Sequence, residues 1–180
     1  MLSAVLIASG LYAGSSLAQA QSGATLTSPP QAFTSALAAF DDSWASSGLA
    51  FTTVTFTDGA STGYGQYTPR DGNAFADGEA LSVYAEPVGY GFKESADGYA
   101  YALTASYRLL NASGQVLAEQ DNFASFSGGG RSKKRELSAA LTFQFSGLPA
   151  GTYTLETRFS DEVGAGQAEF ALPFTVSGTN

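Results

Sequence analysis

Apolar residues along this chain recur at two intervals, and the change comes near residue 48. Upstream, Phe33, Leu37, Phe40 and Trp44 follow at steps of four, three and four, one narrow stripe on a helix over 31–47. Ser28 has the chemistry of an N-cap, Pro29 suits a first helical position, and Gln31 stands three residues after the cap. Gly48 supplies a stop. Asp41 and Asp42 fall off the stripe, so the helix is amphipathic. Its apolar line calls for a surface, either its own domain or a partner. Packing accounts for such a stripe better than a cofactor site does.

From Leu49 the interval becomes two. The runs 49–57, 80–87, 99–110, 136–145, 152–160 and 167–176 alternate, several with a clean wet and dry face. The longest sets Tyr99, Tyr101, Leu103, Ala105, Tyr107 and Leu109 on one side. A seventh run, 115–126, is weaker and reads as one strand or a broken pair. Asn111–Gly114 and Gly147–Gly151 are tight connections. Pro173 in the last run places that strand at an edge or at a bulge. The fold predicted is mainly β: an antiparallel seven-stranded sandwich over 49–177 with one N-terminal amphipathic helix. If each strand crosses the sandwich once, its connections alternate between two ends. One end then carries 58–79, 111–114 and 147–151, and the other carries 88–98, 127–135 and 161–166.

"GLPAGTYTL" (147–155) resembles the corner of immunoglobulin-like and fibronectin-type sandwiches, where a Leu and a Pro-Gly turn precede a Tyr that opens the next strand. The resemblance implies an immunoglobulin-like sandwich with Tyr153 in the tyrosine-corner place, its hydroxyl bonded back to nearby backbone. The B–F disulfide of antibody domains is absent, because the chain has no Cys. "EPVGYGF", then a long strand, then "GLPAGTYTL" also resembles exported bacterial proteins of unknown function, which implies no activity.

Composition adds a location. "LSAVLIASGLYAGSSLAQA" ends in the A-x-A pattern of a secretory cleavage site, so residues 1–20 read as a signal peptide and 21–30 as a linker. No Lys or Arg precedes the apolar run, and Leu2–Leu11 is too short to span a bilayer. The expected product is exported, periplasmic or extracellular, with no transmembrane segment after cleavage. Eight basic residues against 16 acidic ones give a net charge of −8, which argues against nucleic acid as a partner. The absence of His and Cys removes Ser-His-Asp and Cys-His catalysis and the usual zinc sites. No cofactor or metal is expected. Glu86, Asp97, Glu119 and Glu156 are the carboxylates left for glycosidase-type chemistry.

Two stretches remain as candidate contact sites. The 22-residue connection 58–79 carries Tyr64, Tyr67 and Phe75, which either stack on a sugar or peptide or fold back as anchors. At the other end, Tyr90 and Phe92 of "PVGYGF" adjoin "GGGRSKKR" (128–135). Val88–Gly91 spells most of a potassium filter, but Pro87 stands where the filter has Thr and no membrane helices flank it. Arg131, Lys133, Lys134 and Arg135 make either an anion-binding loop over exposed glycine amides or a solvated loop balanced by acidic neighbours. The expected function is a non-enzymatic binding or scaffold module of the cell envelope, its partner another envelope protein or a glycan. A carbohydrate-binding module is the alternative, and a carboxylate hydrolase is third.

Overall fold

The computed structural model of the protein describes residues 26–178. The expected signal peptide and residues 21–25 of the linker lie outside them. Helix α1 spans Gln31–Ser47, with Pro30 rather than Ser28 at the cap position and no side-chain cap. The reason is steric. A residue before proline is pushed out of the helical region, so Pro29 cannot be helical and the first turn waits until Pro30 has passed. Phe33 and Thr34 N–H both donate to Pro30 O. Gly48, at φ 72°, ends the helix.

Nine strands follow: β1 (Ala50–Thr57), β2 (Ala74–Ala76), β3 (Ala80–Val88), β4 (Lys93–Ser95), β5 (Gly98–Asn111), β6 (Val116–Gly130), β7 (Ala139–Gln144), β8 (Gly151–Asp161) and β9 (Gln167–Ser177). They form two packed sheets. The smaller is β1–β3–β7. The larger runs β2–β9–β8–β5, with β6 along the free edge of β5 and β4 beside β5 below β8.

All seven alternating runs are strands, but two short strands add to them and the large sheet is mixed, because β2 pairs parallel with β9. Pro173 shows why β9 accepts so short a neighbour. Asn73 Nδ2 donates to Pro173 O, so the side of Pro173 that lacks an N–H faces the sheet edge and not β8. Two residues on, Thr175 N–H donates to Asn73 O, and the β2 ladder begins there. The 115–126 run is part of one long strand, β6, with a bulge where Asp121–Phe123 oppose Ser106 alone. Asn122 takes φ 49° there and donates its N–H to Ser106 Oγ.

The core lies between the sheets. Leu81, Val83 and Ala85 of β3 and Leu141 and Phe143 of β7 face Leu103, Leu109, Leu155 and Phe159 of the large sheet. Thr157 sits buried among them, and its Oγ1 has no partner. Tyr153 Oη donates to Pro149 O at 2.7 Å and so closes the corner that opens β8. Among the described residues, no helix is long and apolar enough to cross a membrane.

Candidate functional site

The segment Val88–Phe92 is a clasp. Tyr90 is 1% exposed and lies against Trp44, Phe92 and Tyr101. Its backbone O accepts the Trp44 indole N–H at 2.8 Å, and its hydroxyl donates to Lys134 O at 2.8 Å. Burial pushes that hydroxyl's pKa well above the usual tyrosine value. On either side the glycines are obligatory. A Cβ on Gly89, at φ 72°, would lie 1.9 Å from Gly48 O, and one on Gly91 would lie 2.7 Å from Gly164 N. Gly91 N–H donates to Asp161 Oδ2 at 2.6 Å, while Asp161 Oδ1 accepts from Val163 N–H. The clasp thus joins the end of α1, the segment before β7 and the β8–β9 turn. Tyr90 and Phe92 are both spent on packing, which leaves the buried Tyr90 ring no face for a ligand.

The basic segment takes part in the same fastening. Gly128–Gly130 are not a loop with free amides but the end of β6, paired with Tyr101, Ala100 and Tyr99. A Cβ on Gly128 would come within 2.7 Å of the Tyr101 hydroxyl, so that ring would have to shift to admit one. Arg131 donates to Ala96 O. Arg135 pairs with Asp41 of α1 at 2.5 Å and lies over the rings of Phe40 and Trp44, while Lys133 stands 4.0 Å from Asp41. Arg135 Nε is buried and has no partner. Lys134 is exposed.

α1 itself is held only at its root. Every residue from Gln31 to Phe40 is exposed, and Trp44 alone is buried. Of the predicted stripe, Phe33 is 59% exposed, Leu37 48% and Phe40 49%. The stripe therefore packs on its own domain through Trp44 and through the face of Phe40 that lies under Arg135.

The long 58–79 connection is ordered by folding back. Asp58 N–H donates to Thr68 O and Arg70 N–H to Phe56 O, so the tip turns along the outer face of the small sheet. There Tyr67 stacks on Tyr84 with centroids 4.0 Å apart. Gly65 N–H donates to the Tyr84 hydroxyl, which donates to Glu86 Oε1, each at 2.6 Å. Thr52 and Thr53 hydroxyls donate to Glu86 Oε2. Glu86 is thus a buried carboxylate held by three hydroxyls. Burial and the hydrogen bond to Glu86 push the Tyr84 hydroxyl up to about 12.

This fold-back carries Tyr64 to the end of the sandwich opposite the one its connection leaves. Tyr64, 40% exposed, reaches the basic segment that the alternation of connections sets at the far end. The two form one groove of about 760 Å³, walled by Phe40 and Trp44, by Tyr64 and Val88, and by Lys133–Glu136. Burial, then the charges of Glu86 and Glu136, raise the Tyr64 hydroxyl pKa. Neither Phe40 nor Trp44 stands among the sequence candidates. Their stripe spacing was visible, but the 94-residue separation of Arg135 from Asp41 was not.

The remaining carboxylates lie elsewhere. Glu119 and Glu156 share the outer face of the large sheet, on either side of Arg108, in a groove of about 470 Å³. Arg108 binds Glu156 at 2.6 Å, and Arg158 stands 3.4 Å from Asp121. Asp97 is exposed in the β4–β5 turn. In 71–79, Asp77 accepts from Gly147 and Leu148 N–H, and Glu79 pairs with Arg70. Among the described residues, no three His, Cys, Asp or Glu side chains are placed to hold a metal ion. No protein-family model matches the chain, and no curated protein matches it.

Proposed function

We propose that this chain is a non-enzymatic, exported binding or scaffold module of the cell envelope, with α1 as the arm that engages its partner. The observation that supports this is the half-exposed stripe of Phe33, Leu37 and Phe40 on a helix tied to its body only near its C-terminal end, from Phe40 to Trp44. Three large apolar side chains left in water on one line ask for a covering surface. The Tyr153 corner and the two packed sheets support an immunoglobulin-like body, and the A-x-A leader pattern supports export. A second reading, a carbohydrate-binding module, draws on the exposed Tyr64 beside three cations. Tyr90 lends it nothing, since its ring is buried, and Tyr67 has one face stacked on Tyr84.

The immobilised protein, challenged with envelope proteins and with a polysaccharide panel, separates the readings. Retention of a protein that is lost in Leu37→Glu and kept in Tyr64→Ala supports the arm. Sugar retention lost in Tyr64→Ala supports the alternative. Steady glycoside turnover, lost in Glu119→Gln or Glu156→Gln, would overturn both.

A further inference from the structure

We propose that the groove at the root of α1, together with the stripe leading out of it, receives an acidic amphipathic segment of another protein. The proposal rests on the reading of α1 as a binding arm and names the chemistry of its partner.

Charge selects the acid. Half of the 8 basic residues lie in 131–135, in a chain with 16 acidic ones. Three of these cations, Lys133, Lys134 and Arg135, wall the groove, against the single carboxylate of Glu136. Asp41 engages Arg135 and lies at the limit of reach of Lys133. The Lys134 side chain projects into solvent. A small cationic spot on an acidic body orients an incoming anion toward itself and repels it elsewhere.

The walls select the rest of the segment. Phe40, Trp44, Tyr64 and Val88 make the groove apolar between its cations. Outside it, Leu37 and Phe33 continue the apolar line along the arm, spaced for the side chains of a facing helix. The arm from Gln31 to Phe40 bears no charge, so it contributes contact area and the groove contributes polarity. An acidic sugar would use the cations and Tyr64 but would leave Leu37 and Phe33 uncovered. A peptide with acidic residues at one end and apolar residues at helical spacing covers both.

The chain's one Trp, Trp44, lines the groove and reports its occupancy. The test titrates the protein with three probes: a synthetic helical peptide with two Glu at one end and Leu or Phe at four-three-four spacing, the same peptide with Lys for Glu, and oligogalacturonate. The acidic peptide is expected to change Trp44 emission saturably. The Lys peptide should bind at least roughly tenfold more weakly, and salt should weaken the acidic peptide. Lys134→Glu and Leu37→Glu, both at exposed positions, should each weaken it by roughly tenfold with unchanged thermal unfolding. Equal response to both peptides, or none to the acidic one, overturns the proposal. Response to oligogalacturonate alone overturns it too, but leaves a binding module standing. Mass that rises with concentration and falls in Leu37→Glu would give the arm to a second copy, and would also overturn it.

Discussion

The chain contains the tripeptide Gly-Tyr-Gly twice, at 63–65 and at 89–91, and the two copies have opposite fates. Tyr64 is 40% exposed at the lip of a groove, while Tyr90 is 1% exposed and holds three parts of the molecule together. Nothing within either triplet accounts for this. The difference lies in what arrives from elsewhere. Gly89 receives the end of α1 so closely that a Cβ has no room, whereas nothing lies within 4 Å of a Cβ on Gly65. Gly91 gives its amide to the carboxylate of Asp161, seventy residues away, and Gly65 gives its amide to the Tyr84 hydroxyl. A flexible triplet is shaped by its visitors. One copy is a fastener, and the other is a rim.

The strongest way to break this contrast is to remove each ring. Tyr90→Ala should cost about 3–5 kcal/mol of folding stability, as large buried rings do, and Tyr64→Ala about 1 kcal/mol or less. Equal losses in denaturant unfolding would show that the two copies do the same work. Next come the glycines. Gly65→Ala should cost about 1–2 kcal/mol for its left-handed backbone alone. Gly89→Ala should cost more, about 3 kcal/mol, because its Cβ meets Gly48 as well.

Alkaline pH sharpens the contrast through protons. Tyr84, beneath the first copy, holds its proton to about 12 in the folded chain against an ordinary value of 10.0. The unfolded chain therefore sheds that proton first, and stability that is whole below pH 10.0 falls as pH rises toward about 12. The loss reaches roughly 3 kcal/mol at two pH units. Tyr84→Phe should flatten that part of the slope, leaving the part due to the buried Tyr90. A slope unchanged in Tyr84→Phe would contradict the hydrogen-bonded pair with Glu86. The smallest effect serves as a control remote from both triplets. Thr157→Val removes a buried hydroxyl without a partner and should raise stability by about 1 kcal/mol, read from the unfolding midpoint.

Strands with one wet face were legible in the sequence because a period of two survives any choice of neighbours. β2 and β4, three residues each, are too short to show a period. The parallel pairing of β2 depends on Asn73 meeting Pro173 across 100 residues. β3 hid its second buried face. Ser82, Tyr84 and Glu86 look like a wet side but are buried, Tyr84 beneath the 58–79 connection. That same fold-back is why Tyr64 and the basic segment, set at opposite ends by counting strands, share a groove. The helix stripe was plain, but its exposure was not, since a pattern of apolar residues says that a surface is wanted and not where it comes from.

The bulge in β6 has a consequence for how molecules of this protein meet at high concentration. Fifteen residues of strand on an outer edge would be a long template for cross-β growth. Asn122, in its left-handed turn, and the charge of Asp121 cut that template into two short lengths. A fibril would have to reset its register at each layer to pass them. Three bulged residues in the middle of the longest strand thus act as a fire-break, keeping the exposed edge from becoming the start of a solid.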